Sequence, residues 1–68
     1  MSSWRAIYKT TQEHQAQIVK DVLENSGINA IIFNMQDQAH KFGDIEVRVN
    51  PDSVIRAIRL IQEIEFIK

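Results

Sequence analysis

Hydrophobic and polar positions along the chain change their period several times, and each change marks an element. Residues 4–10, Trp-Arg-Ala-Ile-Tyr-Lys-Thr, alternate in twos and are rich in aromatic and β-branched side chains, which predicts a strand. Trp4, Ala6 and Tyr8 would share one face, with Arg5, Ile7 and Lys9 on the other. From residue 11 to 26 the period lengthens to that of a helix. Ala16, Ile18, Val19, Val22 and Leu23 fall within one arc, and Gln17, Lys20, Asp21, Glu24 and Asn25 fill the opposite side. Thr10-Thr11-Gln12-Glu13 has the form of a capping box at its start. Gly27 suits the left-handed residue that ends a helix, and Ile28 is placed to fold back on Leu23 as in a Schellman motif.

A second strand is predicted over residues 29–35, with Ala30 and Ile32 on one face and Ile31, Phe33 and Met35 on the other. Both faces are apolar, so neither is marked for water. A polar loop covers residues 36–43, long for a hairpin connection. Residues 44–50 then alternate strictly: Ile45, Val47 and Val49 inward, Glu46 and Arg48 outward. Asn50-Pro51 opens a second helix, with Asn as N-cap and Pro at the first helical position. Val54, Ala57, Ile58, Leu60, Ile61 and Ile64 form its apolar arc, whereas Ile55 and Phe66 fall on or beside the polar side. Residues 64–68 fit either the end of that helix or a short strand.

The order is β-α-β-β-α in one domain spanning residues 1–68, without internal repeat or linker. A strand–helix–strand unit crosses over right-handed, which sets its strands parallel. The expected fold is therefore α+β: a two-layer βαββα ferredoxin-like sandwich, a three-stranded sheet with two helices on one face. In that arrangement the third strand is central and the first two are edges. The outer edge of residues 4–10 is left as a template for another chain.

The opposite sheet face has no helix to cover it, and Ile31, Phe33 and Met35 lie there beside Glu46 and Arg48. An exposed cluster of this kind invites a partner. Length argues the same way, because a chain of 68 residues buries only about 60% of its unfolded surface, and association adds stability. Candidate interface residues are thus Ile31, Phe33 and Met35, with Trp4 and Tyr8 at the first strand, and the expected assembly is a homodimer that binds a further protein. Glu46 and Arg48, two apart on one strand, share a face and suit an ion pair.

Composition narrows the function. Hydrophobic residues make up 44% of the chain and charged ones 25%, the balance of a folded domain. Eight Lys+Arg against nine Asp+Glu leave a net charge of -1, with no charged tail and no basic stripe, so nucleic acid is not an expected partner. No apolar run approaches the length of a membrane span, and no signal pattern precedes Trp4. The absence of cysteine excludes disulfides, thiolate nucleophiles and cysteine-based zinc sites. His14 falls on the polar side of the first helix and His40 in the loop, three residues after Asp37. Two such ligands do not define a metal site. Ser26 and Ser53 sit at helix ends, and no nucleophile elbow or phosphate-cradling glycine loop occurs. Neither enzyme activity nor a cofactor is expected. The one polar constellation with room for a ligand is the 36–43 loop, where Gln36, Asp37, His40 and Lys41 would anchor a small molecule if the domain were a metabolite sensor.

Several residues also carry a resemblance. Trp4, Tyr8-Lys9-Thr10-Thr11, Gln15-Ala16, Val19-Lys20 and the passage Leu23-Glu24-Asn25-Ser26-Gly27-Ile28-Asn29-Ala30 resemble a family of small bacterial domains described as prokaryotic signal-transducing proteins. Asn34, Phe42-Gly43, Ile45-Glu46-Val47-Arg48-Val49, Ala57 and Leu60-Ile61 extend the similarity over nearly the whole chain. The resemblance implies a fold like that of the ferredoxin-like signalling proteins of the PII type and a place in the bacterial cytoplasm. It supplies no catalytic residues. The long nucleotide-gripping loop of PII proteins has no counterpart here, so ATP binding is not implied.

Overall fold

A computed structural model of the chain describes residues 3–36, 43–64 and 66–67. Strand β1 spans Arg5–Thr10, helix α1 Glu13–Asn25, strand β2 Ala30–Asn34, strand β3 Ile45–Val49 and helix α2 Val54–Ile61. The three strands form one sheet in the order β1-β3-β2, and β3 pairs antiparallel with both neighbours. β1 and β2 are thus parallel, as the crossover through α1 requires, but they are separated by β3 rather than hydrogen-bonded to each other. This is the α+β ferredoxin-like arrangement expected from the element order.

Register decides which side chains share a face. On the helix side the cross-strand rows are Ala30–Val49–Arg5, Ile32–Val47–Tyr8 and Asn34–Ile45–Thr10. Val47, Val49 and Ile45 are buried there together with Ala16, Val19 and Leu23 of α1, Ile28, Ala30, and Ala57 and Ile61 of α2. Full burial of each large side chain stabilises by about 1.5–3 kcal/mol, so this layer holds most of the fold's apolar free energy.

β1 departs from simple alternation. Its register against β3 shifts between Ala6 and Tyr8, so that an extra residue is accommodated at Ile7. Ile7 and Tyr8 consequently both pack against the core, while Ala6 turns to the opposite face. Trp4, Ala6 and Tyr8 therefore do not form the single face that a regular strand would give.

The ends of α1 show one expectation met and one corrected. Gly27 has φ +82°; its N–H donates to the Glu24 carbonyl at 3.0 Å, and the Ile28 N–H donates to the Leu23 carbonyl at 2.9 Å. That is a complete Schellman motif. At the start, no capping box forms, and Gln12 is the N-cap without a side-chain capping bond. Thr10 instead turns its hydroxyl inward. Its Oγ1 accepts from the Gln12 N–H and donates to Gln15 Oε1, both at 3.0 Å.

Helix faces are narrower than the periodic pattern suggests. α1 buries the line Ala16, Val19 and Leu23, leaving Ile18 42% exposed. On α2, Ile58 is likewise exposed beside Ile55, and only Ala57 and Ile61 are buried. The Asn50-Pro51 opening makes a 3₁₀ turn over Pro51–Ser53, closed by the Ser53 N–H on the Asn50 carbonyl at 2.9 Å, before α2 begins. Asn50 makes no side-chain capping bond. Arg56 donates from Nη2 to the Ser26 carbonyl at 2.7 Å and so caps the end of α1. After α2 the chain continues in turns, with Ile64 and Ile67 packed on the core and the Ile67 N–H donating to the Ile64 carbonyl. Among the described residues the tail adds no strand.

Candidate functional site

The sheet face opposite the helices is built from two cross-strand rows. Ile31 of β2, Arg48 of β3 and Ala6 of β1 make one; Phe33, Glu46 and Lys9 make the next. The apolar residues therefore lie along one edge and the charged ones at the centre and far edge. Phe33 is 46% exposed and Met35 45%, whereas Ile31 is half-buried. Alternation carries Met35 to the face of Phe33, and its N–H extends the ladder by donating to the Asp44 carbonyl at 3.0 Å.

Arg48 organises the middle of this face. Its Nε donates to Glu46 Oε1 at 2.8 Å and its Nη2 reaches the same oxygen at 2.6 Å. Its guanidinium carbon lies 4.2 Å from the centroid of the Phe33 ring, a cation–π contact. Lys9 Nζ stands 3.6 Å from the other carboxylate oxygen, Glu46 Oε2.

Glu46 occupies an outward strand position and is nevertheless buried, only 6% exposed. The hydrogen bonds from Arg48 hold its carboxyl below the ordinary range; burial opposes this, and the charges of Arg48 and Lys9 add to the lowering. What the face shows to solvent is therefore two cations and an apolar edge, with the balancing carboxylate underneath.

Residues 4–65 match the sequence profile of a family described as putative prokaryotic signal transducing protein. The chain belongs to this family. No curated protein matches it, and no solved structure matches it. No helix among the described residues is long and apolar enough to cross a membrane. Nor do three His, Asp or Glu side chains converge there as a metal site would need.

The residues singled out from the sequence are distributed unevenly over this domain. Ile31, Phe33 and Met35 come together on the open face. Tyr8 does not join them: it lies on the helix side, its hydroxyl donating to Gln15 Oε1 at 3.3 Å and its ring 6.3 Å from that of Phe66. Trp4 precedes β1 and is half-buried. Of the loop residues, Gln36 is fastened in place. Its N–H donates to Asn34 Oδ1 at 2.8 Å, and its side-chain amide donates to the Thr11 carbonyl at 3.0 Å. Asp37, His40 and Lys41 lie outside the described residues. His14 is exposed on α1. Ala6 and Lys9 are members of the open face that alternation alone does not place there, because their shared orientation depends on the bulge between them.

Proposed function

We propose that this domain is a small cytoplasmic regulatory or adaptor module that works as a homodimer and binds protein through its open sheet face. The observation that supports this reading most directly is the exposed pair Phe33 and Met35 on a sheet face that no described helix covers. Each is already more than half buried, so covering what remains of each would contribute about 1 kcal/mol to an association. Phe33 also lies against the Arg48 guanidinium, 4.2 Å from its ring centroid, and arginine is among the residues enriched where binding energy concentrates at protein interfaces. The family's description as putative signal transducing protein fits a module whose output is the binding of another protein.

The test is the substitution Phe33→Glu. Sedimentation of the wild type is expected to give the dimer mass, and the variant the monomer mass, with the helical circular dichroism signal retained. Equal masses for the two proteins would remove this face from the interface. Native mass spectrometry of protein purified gently from its own cells supplies the complement. A bare dimer supports the adaptor reading, whereas a dimer carrying an extra small mass would replace it with a metabolite sensor built on the 36–43 loop.

A further inference from the structure

The sheet has two edges, and they differ in ways that bear on which one joins another chain. β1 carries Arg5 and Lys9, contains the bulge between Ala6 and Tyr8, and has Phe66 against Tyr8. Charge and bulges are the devices that keep an edge from pairing. In an antiparallel pairing of β1 with its own copy about Ile7, Arg5 would oppose the copy's Lys9, two like charges at cross-strand distance. β2, Ala-Ile-Ile-Phe-Asn, has no charged residue, no proline and an unbroken register against β3. Among the described residues no strand pairs with its outer side.

The hydrogen-bond phase of β2 follows from one contact. Since the Met35 N–H donates to the Asp44 carbonyl, the pairs Phe33–Glu46 and Ile31–Arg48 are the hydrogen-bonded ones of the ladder. The N–H and C=O groups of Ala30, Ile32 and Asn34 therefore point away from β3, toward the empty edge. These groups are matched to one another under a two-fold axis at Ile32. Ile32 would pair with its own copy, and Ala30 with the copy's Asn34. Ile31 would then stand opposite the copy's Phe33 in the non-hydrogen-bonded position, where side chains approach most closely. Aromatic against β-branched is among the favourable cross-strand pairs.

We propose that the outer edge of β2 is the seam of the homodimer, pairing with β2 of a second copy of this chain to extend the three-stranded sheet across the two-fold axis. This rests on the homodimer reading above and adds to it the edge and the register. The seam brings the two Ile31–Phe33 stripes side by side, so the open face offered to a protein partner is doubled and continuous.

The experiment is amide hydrogen exchange by NMR on the full chain, with sedimentation at the same concentrations. Expected is a dimer in which the Ile32 and Asn34 amides are protected and lose protection on dilution, while the outward amides of β1, those of Ala6 and Lys9, exchange freely. Asn34→Pro removes one outward donor without touching the β3 ladder, and symmetry counts the loss twice. The dimer dissociation constant should rise about tenfold or more, with the monomer's circular dichroism unchanged. Asn34→Ala, which loses the same Oδ1 contact to the Gln36 N–H but keeps the outward N–H, is the control and should leave the dimer intact. A dimer with protected Ala6 and Lys9 and free Ile32 and Asn34 would overturn the β2 seam and leave the homodimer standing. A monomer at every concentration would overturn both.

Discussion

The guanidinium of Arg48 lies 4.2 Å from the centroid of the Phe33 ring while two of its nitrogens hold a single oxygen of Glu46. One side chain thus fixes an aromatic ring above it and a carboxylate beside it. The pair Phe33–Arg48 should show measurable coupling. In a double-mutant cycle of Phe33→Leu and Arg48→Met, read by urea unfolding under conditions where the protein is monomeric, the expected interaction is about 0.5–1 kcal/mol. Arg48→Met alone should destabilise more than Phe33→Leu, since it also strips Glu46 of its main donors. Additive single effects would show that the ring and the cation are adjacent without interacting.

Glu46 should make stability depend on pH in a defined direction. Its folded-state carboxyl is held below the ordinary value of 4.5, chiefly by the Arg48 hydrogen bonds. The folded state therefore binds a proton less readily than the unfolded chain. The resulting stabilisation is complete above the unfolded value and is lost as pH falls through the folded one. Glu46→Gln has no such titration: it should be less stable than wild type at neutral pH and approach it in acid. Urea midpoints measured from pH 7 down to pH 3 check this. Parallel curves for the two proteins would mean that the ion pair contributes nothing to the pH profile.

The sequence made some of this legible and hid the rest for physical reasons. The alternation of Ile45, Val47 and Val49 predicted the central strand because one face of it is sealed by helices and admits only apolar residues. Leu23, Gly27 and Ile28 announced the end of α1 because a Schellman motif is local, needing only a glycine and two apolar residues at fixed offsets. Glu46 was read correctly as outward, but alternation reports direction and not cover, and beside Arg48 and Lys9 it is only 6% exposed. The bulge at Ile7 left no mark, since both Ile7 and Tyr8 are good strand residues and the pattern looks regular through the extra position. Ile18 and Ile58 belong to the right arc of their helices, yet periodicity does not say how far the neighbouring element extends. Alternation placed Ile31, Phe33 and Met35 on one face with Arg48, but not Ala6 and Lys9, whose place there depends on the bulge at Ile7. The contact of Arg48 with the Phe33 ring is set by rotamers, on which the pattern is silent.

Burial separates two otherwise similar aliphatic positions on the helices. Leu23 is fully buried, whereas Ile55 is 71% exposed. Leu23→Ala should cost about 2–5 kcal/mol. The domain's total stability is expected at about 3–10 kcal/mol from its length, so this change removes a large fraction of it and is expected to lower the thermal midpoint sharply. Ile55→Ser should stay within about 0.5 kcal/mol of wild type. Urea unfolding compares the two directly. A large loss at Ile55 would reveal a contact on that side of α2 which the isolated chain does not make.

The two glycines offer the sharpest local contrast. Both have positive φ, +82° at Gly27 and +105° at Gly43. A Cβ at Gly27 would meet nothing within 4 Å, whereas one at Gly43 would lie 2.6 Å from the Met35 carbonyl oxygen. Gly27→Ala therefore carries the left-handed backbone penalty alone, about 1–2 kcal/mol. Gly43→Ala adds a clash with backbone that belongs to the ladder between β2 and β3, where Met35 bonds Asp44. It should be the costlier change, by about 1 kcal/mol or more. Its effect should also extend beyond stability. Displacing Met35 disturbs the end of the strand that carries Phe33, so amide protection near residues 33–35 should fall in Gly43→Ala and stay intact in Gly27→Ala. Equal losses in the two variants would show that the backbone near Met35 yields to the added methyl, and that Gly43 is required only for its positive φ.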